Sequence, residues 1–282
     1  MNAVVIQYRK TKSTLFKSVV IFFSLLCTVP LLCILYYIVS KGTKEINWHF
    51  LIRLPMPVGE AGGGIANALS GSVIIVLVAA VIAIPLGILG GIYLSENKDK
   101  KLAYWSRLSA DIVQGIPSVV TGIVVYFWIV KPMEGFSALS GSLALAIMML
   151  PILVRITEET LLRIPNSFKE AALALGVPYH RTMLKVIVPC GLSGILSGAL
   201  LAVARIAGET APLLFTAFGN PYMNVNIFKP MQSLPLMIYN YAISPYNQWH
   251  NMAWGAAMIL LIWILLLNIL TKLATKRWRV QL

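Results

Sequence analysis

Long apolar runs separated by short charged segments set the pattern of this chain. Uncharged stretches occur at Ser18–Ser40, Ile65–Ser95, Ile112–Val130, Gly135–Val154 and Asn251–Thr271, and a sixth apolar run extends from about Cys190 to Ala217. Each is long enough to cross a hydrocarbon layer of roughly 30 Å as a helix. The pattern therefore predicts an all-α polytopic membrane protein with six transmembrane helices over residues 18–272, an N-terminal segment at 1–17 and a C-terminal tail at 273–282. The 23-residue first run is too long for a signal-peptide core, and no small-residue cleavage pattern follows Ser40, so it reads as a helix. Only the sixth run carries charges at its centre, Arg205 and Glu209.

Composition agrees with this reading. The 282 residues are 58% hydrophobic and 12% charged, which excludes an ordinary soluble domain. With a cytoplasmic N-terminus, 17 of the 23 Lys and Arg fall on inner segments and 5 on outer ones, Arg205 being the remainder. Both termini are thus expected in the cytoplasm. The net charge of +13 is a topology signal and a contact for the cytoplasmic leaflet, without any need for nucleic acid. The tail Lys276-Arg277-Trp278-Arg279 is expected at that interface. Three Cys and three His, scattered, offer no metal or disulfide framework. No Gly-Lys dipeptide occurs, so a phosphate-cradling Gly-rich loop is excluded, and any ATP is hydrolysed by another chain.

Between these spans, local chemistry marks several features. The glycines in EAGGGIANAL (Glu60–Leu69) suit a tight turn into the second helix, which itself carries Pro85, Gly87, Gly90 and Gly91 for close helix packing. Ser95–Asp111 is basic and amphipathic. Arg155 marks either the inner membrane edge, where it snorkels, or the lower reach of a cavity, with Glu158 and Glu159 in the cytoplasmic extension. Residues 166–185 predict a helix, a sharp turn and a second helix. There Ser167 and Glu170 are spaced as a capping box, Ala171, Ala172 and Ala174 give a smooth surface, Gly176 permits the turn, and Pro178 suits the next helix start.

The spacing Glu170-Ala171-Ala172, then Gly176, then Val186-Ile187-Val188-Pro189 resembles the signature of ABC importer permeases. That resemblance implies a type I, MetI-like fold whose coupling helix (Glu170, Ala171, Ala172, Gly176) sits in a cleft of an ATPase subunit. The stretches EAGGGIANALSGS, GIYLSE, ARIAGETAPLLFTAF and AISPYNQWHNMAWGAAM, in this order, are similar to the PstA family of bacterial phosphate-importer permeases. A sister family, PstC, has a related Arg–Glu stretch. What the PstA resemblance implies is a non-enzymatic inner-membrane permease paired with PstC, with a PstB ATPase dimer binding ATP and Mg, a periplasmic PstS phosphate-binding protein, and a PhoU-type regulator as a further partner.

Arg205 lies 15 residues beyond Cys190, about 22 Å along a helix and too deep to snorkel. On a continuous helix Glu209 is one turn further on the same face, so the two are expected to pair. Two roles stand for that pair: an ion pair that fixes helix packing, or an anion-handling site in which Glu209 competes with a passing oxyanion for Arg205. Thr210 and Arg155 are weaker candidates for the same pathway, the Thr210 hydroxyl also suiting a bond to its own backbone. The acid-free segment Gly219–His250 suits either anion delivery or an ordinary interfacial loop, with a gating or interfacial helix within Phe228–Tyr241. A tetrahedral-oxyanion permease for sulfate or molybdate, a gradient-driven transporter and a membrane sensor are the competing functions.

Overall fold

A computed structural model describes residues 3–60 and 62–278, with side chains over 7–60 and 62–273. The basic tail Lys276–Arg279 therefore lies outside the described side chains. Twelve α-helices follow one another among the described residues: α1 Ala3–Glu45, α2 Trp48–Ile52, α3 Ala66–Glu96, α4 Lys101–Gly115, α5 Ser118–Val125, α6 Ala138–Leu162, α7 Asn166–Ala174, α8 Tyr179–Thr182, α9 Val188–Ile206, α10 Ala211–Thr216, α11 Leu234–Ala242 and α12 Asn247–Trp278. Wider π-type turns extend α5 over Tyr126–Val130 and join α8 to α9 over Met183–Ile187.

Among the described residues, five helical segments are long and apolar enough to cross a membrane, and six if one bent pair counts as a single span. That pair corrects the expected third span. Residues 112–130 are not one straight helix: Lys101–Gly115 and Ser118–Val130 meet at 105°. Pro117 has no N–H to continue the ladder and pushes Ile116 out of the helical region, to φ −73 and ψ 131. The expected sixth span is corrected as well. Its helix begins at Tyr179 and ends at Ile206, and α10 resumes after a four-residue break.

Glycine holds the centre together. In α3, a Cβ on Gly87 would lie 2.4 Å from the Cβ of Leu153, and one on Gly91 2.4 Å from that of Thr157. In α9, Gly194 and Gly198 meet Thr160 and Ile156 of α6 at 2.5 and 2.2 Å in the same sense. Helices α3, α6 and α9 thus approach at distances that no side chain would allow. Ile75, Leu145, Met149, Leu153 and Ile206 fill the space between them and are fully buried.

Two ends of the bundle differ. At one, the segment after α10 folds over the start of α6, where the amides of Ser137, Ala138 and Leu139 donate to the carbonyls of Thr216, Lys229 and Ile227. A helix start that would be left with orphan donors is satisfied by this loop. The same loop is pinned to α3 through Asn67, whose amide donates to the carbonyls of Asn220 and Pro221, and through Ser72, which accepts from the Leu234 amide. A helix does form within 228–241, as α11, with Leu234, Leu236 and Met237 buried. At the opposite end lie α7, α8 and the last turn of α3.

Candidate translocation site and coupling surface

Arg205 occupies the last turn of α9, where the helix dipole favours a cation. Beyond it the backbone tightens: Gly208 and Glu209 donate to the carbonyls of Arg205 and Ile206, three residues back, before α10 restarts at Ala211 with Pro212 in its first turn. Pro212 cannot donate, and the break falls ahead of it. Glu209 is therefore not on the same helical face as Arg205, and the expected pairing is not made: no ion pair joins them among the described residues. Arg205 is exposed on the isolated chain, Glu209 and Thr210 are partly buried, and no hydrogen bond from the Thr210 hydroxyl to its own backbone is present. The helix bearing Arg205 also begins eleven residues before Cys190, at Tyr179, so the guanidinium stands near the end of its span away from α7. Gly208 leaves only ordinary contact with Ile264 of α12.

Arg155 is placed differently. Its guanidinium grips Asp111 of α4, with Nη2–Oδ2 at 2.6 Å and Nε–Oδ1 at 3.1 Å, and reaches Glu158 at 3.5 Å. Glu158, expected in the cytoplasmic extension of this helix, is 3% exposed. It accepts a second guanidinium, Arg107 Nε at 2.6 Å, and Arg107 donates further to the carbonyls of Leu94 and Lys98 at the end of α3. Two cations and two carboxylates thus balance, and they tie α4, α6 and the terminus of α3 together. Sequence reading missed Arg107, Asp111 and Glu158. The i,i+3 spacing of Arg155 and Glu158 was the only local signal; the other links span 44 and 51 residues.

At the α7 end, the helix–turn–helix is present but not the capping box. α7 starts at Asn166 directly after Pro165, and no side chain caps it. The pyrrolidine ring fixes the start, so Ser167 and Glu170 remain free to face outward, and both are exposed. The helix ends as a Schellman turn: Val177 donates to Ala172, Gly176 donates to Leu173, and Gly176 has φ +77. Ala172 is buried against the body while Glu170 and Ala171 face out. Leu173 and Leu175 are 41% and 84% exposed, a convex apolar surface without cover in the isolated chain.

A glycine-packed helical body, a broken membrane helix and an exposed helix–turn–helix at one end define a class. The chain belongs to the binding-protein-dependent transport system inner membrane components, which match it over residues 83–280. Within that class it belongs to the family of phosphate transport system permease proteins PstA. It is 43% identical to the PstA of Yersinia pestis over 86% of this chain and 82% of that one. The Haemophilus influenzae protein is 41% identical over 85% of both chains, and PstA 1 of Mycobacterium tuberculosis is 34% identical over 90% and 85%. Among solved structures, the fold is similar to that of the inward-facing MetNI methionine ABC transporter, with a TM-score of 0.60 at 18% identity, covering 77% of this chain and 94% of that chain. The chain is accordingly a membrane permease subunit and not an enzyme, and it works with a separate ATPase and a substrate-binding protein.

Proposed function

We propose that this chain forms part of the membrane path of an ATP-driven importer for inorganic phosphate, and that Arg205 is the group its anion meets. The observation that carries the reading is a guanidinium at a helix break with no ion-pair partner among the described residues. A guanidinium facing lipid at the bilayer centre costs roughly 2.5–3.5 kcal/mol; near the end of its span, where Arg205 stands, the cost is smaller but is not offset by an ion pair among the described residues. A water-filled route between paired permeases removes that cost, and an oxyanion arriving there finds a planar fork matched to two of its oxygens. Because the site lies beside solvent and is held by one such fork, binding stays weak enough for release.

Glu209, on the turn just after Arg205, tunes the site in this reading. A carboxylate accepts a hydrogen bond from a protonated phosphate oxygen, whereas sulfate at neutral pH has no proton to give. Thr210 lines the same turn, and Arg155 bounds the route at its α7 side while remaining engaged with Asp111. Orientation follows the charge count: α7 and both termini are cytoplasmic, and the loop after α10 faces the periplasm. The partners are a PstC permease, a PstB dimer carrying ATP and Mg on the α7–α8 surface, PstS above, and a PhoU-type regulator.

The test is uptake by the reconstituted importer, comparing phosphate, sulfate and molybdate with and without ATP. ATP-dependent phosphate uptake, with sulfate excluded and that exclusion relaxed in Glu209→Ala, is the expected result. Preferential sulfate or molybdate uptake, or flux driven by an ion gradient without ATP, contradicts the phosphate reading; unchanged discrimination in Glu209→Ala removes the role given to that carboxylate.

A further inference from the structure

The last residue of α3, Glu96, stands at an unfavourable place. A carboxylate at a helix C-terminus opposes the dipole there, and α3 has no basic residue in its final turn to compensate. Compensation comes from far along the chain. Lys169 of α7 and the phenol of Tyr179 at the start of α8 both donate to the same oxygen of Glu96. The Lys169 ammonium also sits 4.8 Å from the centroid of the Tyr179 ring, within cation–π range. Burial works against the charged Lys169, but the Glu96 hydrogen bond and charge outweigh it and hold its pKa above the ordinary lysine value. Glu96 and Lys169 are partly shielded, with 18% and 28% of their side chains exposed, while Tyr179 is 48% exposed.

Both sides of the proposed coupling turn are therefore fixed to one carboxylate: Lys169 precedes Glu170 and Tyr179 follows Pro178. The carbonyls of the same α3 terminus are held by Arg107, and α3 itself is locked to α6 through Gly87 and Gly91. We infer that Glu96 is a positioning residue for transport, latching the coupling helix to α3 so that motion at the ATPase surface is delivered to the helices of the path rather than absorbed in the loop. The inference rests on the importer reading above. It explains the role of the final residue of the GIYLSE stretch, which the translocation site leaves unused.

Two measurements on the complete permease–ATPase complex decide it. The first is phosphate transported per ATP hydrolysed, for the parent, Glu96→Gln, Lys169→Glu and the charge-reversed pair E96K/K169E. Each single variant lowers the ratio about fivefold or more, as a lost coupling of this size implies, with complex yield unchanged, and the reversed pair restores it. A parental ratio in both single variants, or no recovery in the reversed pair, overturns the latch. The second is the distance distribution between spin labels at positions 100 and 167, with and without nucleotide, which requires no substrate. The latch predicts one narrow distance in the parent and a broadened one in Glu96→Gln; identical distributions overturn it. Failure of the parent to carry phosphate contradicts the substrate assignment alone, because the label distances still decide the latch.

Discussion

Glu158 shows how much one buried carboxylate can hold. With 3% exposure and two guanidinium partners, it neutralises charges that would otherwise be left in a poorly solvated place. Glu158→Gln keeps the shape and removes the charge, and the expected loss is about 3 kcal/mol, the scale for breaking a buried pair on one side. Thermal unfolding of the detergent-solubilised permease checks this, and an unchanged midpoint would count against the network. The residue scale is also where the sequence was least complete. Arg205 was legible because a charge inside a long apolar run is costly, and Gly176 because a sharp turn needs its backbone freedom. The partner of Arg155 was not: Asp111 lies 44 residues away, and nothing local to either residue announces the bond. Arg205 and Glu209 were misjudged for a different reason, since an i,i+4 pairing assumes a continuous helix and Pro212 denies it.

Among the elements, the turn between α7 and α8, the proposed coupling turn, makes the clearest demand on one residue. Gly176 has φ +77, with nothing within 4 Å of the position a Cβ would take. Space is available, so the penalty for a side chain there is conformational rather than steric. Gly176→Asp is expected to loosen the Schellman turn and add a charge to the apolar docking face. Phosphate uptake then falls while ATP hydrolysis by the complex continues. Normal uptake in this variant would contradict the docking assignment. Apolar length predicted α1, α3, α6 and α12 well, because a run of that size permits little else in a bilayer. The bend between α4 and α5 was hidden, since hydropathy measures composition and not direction; the only local warning was the proline in Gly115-Ile116-Pro117. The missing cap on α7 has a similar origin. Ser167 and Glu170 fit a capping box by spacing, yet the helix starts two residues earlier, with Pro165 in the N-cap position.

At the scale of the whole molecule, close glycine contacts make α3, α6 and α9 one body, and the proposed coupling surface on α7 and Arg205 lie toward its two ends. Helix α1 spans 43 residues and leaves most of its described apolar side chains exposed, as a helix bordered by lipid does. The family and the fold were legible from motif order and span length. The geometry that turns them into a path was not, because it depends on where one helix stops. The account as a whole stands on Arg205 meeting the transported anion, and the most direct test is ATP-dependent phosphate uptake by the assembled importer carrying Arg205→Gln. Uptake is predicted to fall by about a hundredfold, the scale of a lost charge-assisted contact of 2–3 kcal/mol, while the complex assembles in normal yield and still hydrolyses ATP. Parental uptake in that variant, or failure of the complex to assemble, would contradict the claim and return Arg205 to a role in packing.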